Sequence, residues 1–269
     1  MKGHAAVQSP FRAMKPGLLF PLLFLATLGK EGPVFAGEHE NSPASRPFAV
    51  VELFTSEGCS SCPPADDLLA EIAAEARQKG QRIFPLAFHV DYWNDLGWTD
   101  PFSDHAYSRR QHEYAQVFDP RRVYTPQMVV NGADAFVGSD RDRAHRSIRT
   151  ALSRPSPVAV ALKAAPVGSD TLAVTYEVSG APTDAILNIA LIERGLVTRV
   201  PRGENAGRTL RHENVVRVFR TLPVGSGTLR LPIPTAVVRQ NSSLVGYVQN
   251  PQDMAVLGAT ETLREGVNP

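Results

Sequence analysis

One short segment constrains the fold of this chain more than any other: two cysteines, separated by two serines, stand between a strand pattern and a helix pattern. Cys59 and Cys62 follow the apolar run 48–55 and directly precede Pro63 and Pro64. Proline is favoured in the first turn of a helix, and the apolar residues that follow recur at helical spacing. A strand, a tight turn and a helix are therefore expected in this order. The predicted buried face of the helix consists of Leu68, Leu69, Ile72, Ala73 and Ala76, and Gly80 is expected to end it.

The two cysteines are the only ones in the chain, which excludes four-cysteine zinc sites and dense disulfide frameworks. Cys59 is expected at the helix N-terminus, where free N–H groups and the helix dipole favour the thiolate that attacks disulfides. Cys62, one turn later, would resolve the mixed disulfide. Two alternatives stay open. A structural disulfide would stabilise little because it closes almost no loop, and a copper or zinc site would need a third ligand such as His89 or a methionine.

The N-terminal residues 1–36 contain the three regions of a bacterial export signal. Lys2, Arg12 and Lys15 form a basic start, an apolar run covers 18–28, and small residues suited to a signal peptidase end the segment. The run is too short to span a bilayer, and a disordered tail is the alternative. We therefore predict a signal peptide, a linker over 37–46, and a periplasmic or secreted protein of a Gram-negative bacterium. In an oxidising compartment the cysteine pair tends to form a disulfide.

Composition narrows the choice of partners. Hydrophobic residues make up 43% of the chain and charged residues 20%, as in a globular protein with a core. The formal net charge of +1 gives no reason to expect nucleic acid or an anionic membrane surface as a partner. No membrane span is predicted in the mature chain.

The pattern of elements changes near residue 154. Before it, strand and helix patterns alternate: a second apolar strand covers 82–90, Asn131-Gly132 joins two short strands as a hairpin, and Asp140 caps a last helix. After it, short alternating strands recur without helices. We predict an α/β domain with a helical insertion over 47–154 and an all-β, sandwich-like domain over 155–269.

The segment 123–132 places Thr125-Pro126 directly before a strand and the Asn-Gly turn. With the cysteine motif, this order resembles the thioredoxin superfamily, in which a cis-proline loop faces the CxxC pair, and residues 51–59 resemble its glutaredoxin-like first strand. The resemblance implies that Cys59 is the nucleophile, Cys62 the resolving cysteine and Pro126 the cis-proline. The backbone of Thr125 would pair with an extended substrate. A trans proline in an ordinary turn is the alternative.

The chain also departs from the superfamily. No tryptophan precedes Cys59, and neither histidine nor proline separates the cysteines. The acid nearest to the position of the superfamily's buried aspartate is Glu52. A glutamate in a buried strand is costly unless it is protonated or paired. Glu52 is therefore either a proton carrier for Cys62 or the partner of an arginine.

An aromatic and acidic stretch, 89–98, follows the second predicted strand. Trp93 and Trp98 would line a peptide groove or simply pack beneath a long loop. Asp91 would tune the thiols, whereas His89 on a buried strand is more often a core residue than a ligand. Together with the segment 202–208, the chain resembles a family of exported bacterial thioredoxin-like proteins of unknown function.

These observations favour a periplasmic thiol–disulfide oxidoreductase that acts on protein or small thiol and disulfide substrates and needs no organic cofactor. The direction of electron flow stays open. Two alternatives remain: a copper or zinc metallochaperone that uses the same cysteines, and a non-enzymatic binding module whose β-sandwich is the recognition surface.

Overall fold

Within residues 46–119 and 121–262, which the computed structural model describes, three α-helices and two short 3-10 helices, Asn94–Leu96 and Arg239–Asn241, lie among thirteen strands. The predicted signal peptide and the linker up to residue 45 lie outside the described residues. None of the helices described is both long and apolar enough to cross a membrane. In chain order the elements are β1 Ala49–Thr55, α1 Pro63–Lys79, β2 Ile83–His89, α2 His105–Phe118, β3 Gln127–Val130, β4 Asp134–Val137, α3 Arg141–Leu152, β5 Ala159–Val167, β6 Thr171–Ser179, β7 Ile186–Glu193, β8 Leu196–Arg199, β9 Thr209–His212, β10 Val215–Pro223, β11 Ser226–Pro232, β12 Ser242–Gln249 and β13 Val256–Glu261.

The strand–turn–helix unit around the cysteines forms as the sequence predicts. Every residue of β1 and β2 is buried, and the two strands pair in parallel, as expected for strands covered on both faces. Helix α1 packs against β1 and β2. Its predicted apolar face is buried, and Gly80 ends it in the left-handed region with φ of 59°.

Two further local predictions are confirmed. Residues Asn131 and Gly132 have positive φ and connect β3 to β4, which is the backbone conformation that makes this dipeptide favourable in hairpins. The carboxylate of Asp140 accepts a hydrogen bond of 3.0 Å from the backbone N–H of Arg143 and caps α3.

The large sheet contains strands from both sides of residue 154. Its order is β13-β12-β7-β10-β2-β1-β3-β4. Strand β10 joins β2 in parallel, with Val215 opposite Ala87. One sheet therefore connects the two predicted regions. The division into a thioredoxin-like and a β-sandwich domain stays a prediction.

Two smaller sheets complete the described structure. Strands β11, β6 and β5 form a three-stranded sheet. An apolar cluster combines buried residues of this sheet, such as Val174 and Leu231, with buried residues of the large sheet, such as Leu187 and Val248. Strands β8 and β9 form a hairpin whose second strand contacts α1. This hairpin brings residues beyond 195 next to the cysteine motif.

Candidate redox site

The cysteine motif forms a tight turn between β1 and α1. The N–H of Cys59 donates to the carbonyl of Ser56 at 3.1 Å, and the N–H of Cys62 donates to the carbonyl of Cys59 at 3.2 Å. The two cysteines form a disulfide, with their Cα atoms 5.4 Å apart. The N-cap of α1 is Cys62, so Cys59 precedes the helix instead of occupying its N-terminus as expected.

The two cysteines are buried, whereas the residues between them are not. Cys59 and Cys62 are both 0% exposed, whereas Ser60 and Ser61 between them are exposed. The tertiary structure buries the two cysteines, because residues distant in sequence contact the turn from two sides. Neither sulfur can be reached by solvent in this conformation.

The first side is formed by the loop between β8 and β9. The side-chain amide of Asn205 donates to the carbonyls of Glu57 and Cys59, at 2.9 and 3.0 Å. The carboxylate of Glu204 accepts a hydrogen bond of 3.1 Å from the N–H of Ser60. This loop belongs to the segment 202–208, whose contact with the cysteine motif the sequence did not predict.

The second side is formed by Thr125-Pro126 and the aromatic stretch. The Thr125–Pro126 peptide bond is cis, as predicted. Strand β3 begins at the next residue, opposite Phe54 near the end of β1, so Pro126 lies at the same end of β1 as the cysteine turn. The indole N–H of Trp93 donates to the hydroxyl of Thr125 at 2.8 Å.

Gly58 allows the cysteine turn to lie close to Trp93. It does not adopt a positive φ. A Cβ atom at this position would lie 2.9 Å from the Cβ of Trp93, which is closer than van der Waals contact permits. Any larger residue at Gly58 would push Trp93 away from the turn.

A buried polar cluster lies behind the disulfide. The carboxylate of Glu57 is fully buried and accepts hydrogen bonds from the indole N–H of Trp98 at 2.8 Å and from Nε2 of His212 at 3.1 Å. Nδ1 of His212 lies 4.0 Å from the carboxylate of Asp66. A buried charge is stable only when hydrogen bonds or opposite charges compensate it, and Glu57 receives both contacts from outside the cysteine motif.

Asp66 is the acid of this cluster whose pKa is raised by burial. It lies four residues after Cys62, on the same face of α1. Burial raises the pKa of Asp66 to about 7 from an ordinary value of 3.8, and the neighbouring His212 partly offsets this effect. Asp66 therefore exchanges a proton in the neutral range.

His89 has a carboxylate partner. Its Nδ1 lies 2.7 Å from Oδ2 of Asp100, and both side chains are fully buried. Burial alone would raise the pKa of Asp100, but the ring of His89 and backbone N–H groups hold it below its ordinary value. Within the described ranges, no three His, Cys, Asp or Glu side chains are grouped as a metal site.

Glu52 is paired with an arginine, which is one of its two predicted roles. The guanidinium of Arg110 donates to both carboxylate oxygens, at 2.7 and 2.8 Å, and the hydroxyl of Tyr114 donates at 2.8 Å. Burial alone would lower the pKa of Arg110, but the Glu52 carboxylate raises it well above its ordinary value. The charge on Glu52 is thus held in an ion pair.

Asp91 is half-exposed. Its carboxylate contacts the hydroxyl of Ser108 and lies 3.1 Å from Nδ1 of His105. Both partners belong to α2. An effect of Asp91 on the thiols stays a prediction.

Sequence reasoning missed most of the buried cluster. The position of Asp66, one turn after Cys62, is a signal that could have identified it. Glu57 and Asn205 lie in segments that carried the family resemblance, without any indication of their contact. No local sequence pattern indicates that His212 contacts the site, because 155 residues separate it from Glu57.

Comparisons with known proteins identify a family but no activity. Residues 50–249 match the model of a family described as "Protein of unknown function (DUF1223)". No curated protein matches the chain.

Solved structures that match the chain include the following two. The crystal structure of a protein from Agrobacterium tumefaciens has a TM-score of 0.59 at 28% identity, covering 82% of this chain and 96% of that one. A domain of the outer-membrane lipoprotein Omp28 from Porphyromonas gingivalis has a TM-score of 0.26 at 13% identity, covering 39% of this chain and 86% of that one. The latter similarity is too low to support an argument about the fold.

Proposed function

This chain belongs to the DUF1223 family, whose function is unknown, and we propose on the basis of its own residues that it is a periplasmic thiol–disulfide oxidoreductase with a thioredoxin-like fold. Cys59 and Cys62 would carry the electrons. Proteins, peptides or small molecules that contain thiols or disulfides would be its substrates.

The observation that carries this proposal is a disulfide between cysteines only three positions apart, at the junction of a buried strand and a helix. A disulfide stabilises a fold mainly by restricting the unfolded chain, and a loop this short restricts it little. A structural role therefore gives little benefit here. A reversible bond next to a helix start matches the arrangement in which cysteines are redox-active.

The reaction is an exchange in which bonds and electrons balance. A substrate thiolate attacks Sγ of Cys59, the Cys59–Cys62 bond breaks, and Cys62 leaves as a thiolate. A second thiolate of the substrate then attacks its own sulfur in the mixed disulfide and releases Cys59. Two electrons have passed from the dithiol to the protein, and the reverse sequence reduces a disulfide substrate.

Asp66 supports the proton transfer that this exchange requires. A carboxyl group with a pKa of about 7, one helical turn from Cys62, can donate a proton to the departing thiolate and accept it again in the reverse step. Glu52 is less suited to this role because Arg110 holds its charge.

An extended segment of the substrate would bind beside the turn, next to Thr125, Pro126 and Trp93. Proline has no backbone N–H, and a segment next to it can pair with an extended peptide through the remaining backbone groups. The indole of Trp93 is fixed by Thr125 and offers a partly exposed aromatic surface. Trp98, in contrast, is oriented by the buried Glu57.

Trapping of mixed disulfides tests the proposal. Purified Cys62→Ser protein is incubated with a peptide that contains a disulfide, and the product is identified by mass spectrometry. We expect a covalent adduct through Cys59, and no exchange by the variant in which both cysteines are serine. If the wild-type protein catalyses neither oxidation of dithiol peptides nor reduction of disulfide peptides above the level of this double variant, the proposed function is wrong.

A further inference from the structure

The segment 201–208, which joins β8 to β9, forms a closed loop over the cysteine turn, and we refer to it as the lid. Two backbone hydrogen bonds close its base, from Gly207 to the carbonyl of Val200 at 2.8 Å and from Val200 to the carbonyl of Arg208 at 2.9 Å. The pairing of β8 with β9 continues this closure. The lid is therefore a defined element attached at one end.

Asn205 makes the central contact between the lid and the turn. The residue is 0% exposed, and its side-chain N–H groups donate to the carbonyls of Glu57 and Cys59. The guanidinium of Arg208 donates to the amide oxygen of Asn205 at 2.8 Å. This bond directs the N–H side of the amide toward the cysteine turn.

Two neighbours of Asn205 extend the contact. Glu204 accepts the N–H of Ser60. Gly203 has φ of +78°, and a Cβ atom there would lie 3.2 Å from the Cβ of Trp98. A side chain at this position would be strained and would crowd Trp98, so glycine allows the lid to lie close to the aromatic stretch.

The lid forms one of the two sides that enclose the cysteine turn, and the proposed function leaves unexplained why both cysteines are 0% exposed. Thiol–disulfide exchange requires a thiolate to reach a sulfur atom. In the closed arrangement, the lid occupies the backbone groups of residues 57, 59 and 60 that border the disulfide.

We propose that the lid, through Asn205 and Glu204, controls access to the disulfide, and that a partner reaches Cys59 by displacing it. Displacement frees two carbonyl acceptors and one N–H donor along a single stretch of backbone. An extended polypeptide, which presents donors and acceptors in alternation, can replace all three hydrogen bonds, whereas a small thiol cannot. The inference rests on the proposed function for the identity of the reaction, but the gating itself does not depend on it.

The rate at which tris(2-carboxyethyl)phosphine reduces the Cys59–Cys62 disulfide tests the lid without any substrate. Asn205→Ala removes two hydrogen bonds to buried carbonyls, and we expect the rate constant to rise about tenfold. Glu204→Ala removes one bond at an exposed position, and we expect a rise of about threefold. Arg202→Ala is the matched control, since this exposed lid residue makes no side-chain hydrogen bond with the described residues, and it should react at the wild-type rate.

Hydrogen exchange at the amide of Ser60 provides a second measurement on the unaltered protein. We expect protection in the oxidised wild type and its loss in Glu204→Ala. If Asn205→Ala does not fold, Glu204→Ala and this amide decide the question. Wild-type reduction rates in both lid variants, or an unprotected Ser60 amide in the wild type, would overturn the proposal.

The two proposals fail separately. Faster reduction of the lid variants, together with no exchange on dithiol or disulfide peptides by any variant, would retain the lid and reject the oxidoreductase. Exchange by the wild type at a rate unchanged by Asn205→Ala and Glu204→Ala would retain the oxidoreductase and reject the lid.

Discussion

Two buried acidic regions of this protein differ in how their charge is held. Glu52, in the middle of β1, receives two hydrogen bonds from Arg110 and one from Tyr114. Glu57 and Asp66, beside the disulfide, share His212 as a neighbour, and Trp98 completes the contacts of Glu57. The first region contains a full cationic partner, and the second contains only a neutral donor and an imidazole.

This difference separates a structural ion pair from a chemically responsive site. In a buried ion pair with additional hydrogen bonds, each charge compensates the desolvation of the other. A buried carboxyl group without a dedicated cation instead takes up a proton, which is why the pKa of Asp66 lies at about 7. The position of each acid relative to Cys62 matters less than the partner that the fold supplies.

The largest effect is expected from breaking the ion pair. Glu52→Gln leaves the charge of Arg110 buried without a counter-charge, and the free energy of unfolding should fall by about 3–5 kcal/mol. Urea denaturation of the oxidised protein measures this loss. The double variant Glu52→Gln/Arg110→Met removes both charges and should recover much of it. A loss below about 1 kcal/mol in the single variant would contradict the contrast between the two regions.

An effect of opposite sign is expected at Asp66. Because its pKa is raised in the folded state, its contribution to stability is complete below the ordinary value of 3.8 and is lost as the pH rises through about 7. Asp66→Asn removes the buried charge that forms over this interval. Since one unit of pKa shift corresponds to about 1.4 kcal/mol, the variant at about pH 8 should be more stable than the wild type by about 4 kcal/mol, whereas near pH 4 the two should be similar.

Urea denaturation of both oxidised proteins at several pH values checks this prediction, and the difference between them removes the contribution of titrating groups that do not interact with Asp66. A difference that does not change between these pH values would mean that Asp66 does not titrate in the neutral range. The same variant should slow the exchange reaction if Asp66 serves Cys62, while its stability increases.

The smallest effects are expected at the two tryptophans, which donate to acceptors of different charge. Trp98→Phe removes a donor from the buried carboxylate of Glu57, with an expected loss of about 1.5–3 kcal/mol. Trp93→Phe removes a donor from the neutral hydroxyl of Thr125, with an expected loss of about 1 kcal/mol. Urea denaturation ranks the two variants, and a larger loss in Trp93→Phe would show that Glu57 does not depend on Trp98.

Much of the local structure around the cysteines could be predicted from the sequence. The proline pair, the apolar spacing and Gly80 specify α1 through the geometry of one helix. The turn at Asn131-Gly132 and the cap at Asp140 depend on neighbours within a few positions. The sequence also placed Pro126 beside the cysteine motif, although only through a resemblance to known proteins.

The contacts that decide accessibility and protonation could not be predicted in this way. Asn205 lies 146 residues from Cys59, His212 lies 155 residues from Glu57, and Arg110 lies 58 residues from Glu52. The pairing of β10 with β2 joins the second half of the chain to the sheet that carries the cysteines, and the hairpin before β10 then reaches α1. Neither the pattern of β8 nor that of β9 indicates this contact.

The sequence alone therefore specifies the local structure of the site: a strand, a turn with two cysteines, and a helix. Such features follow from backbone geometry and residue spacing, which act over a few residues. The tertiary structure, by contrast, buries both sulfurs, pairs Glu52 with Arg110 and raises the pKa of Asp66 to about 7. The solvent exposure and the charge compensation of the site depend on which side chains, distant in sequence, contact it in the folded protein. Local sequence patterns do not predict these contacts.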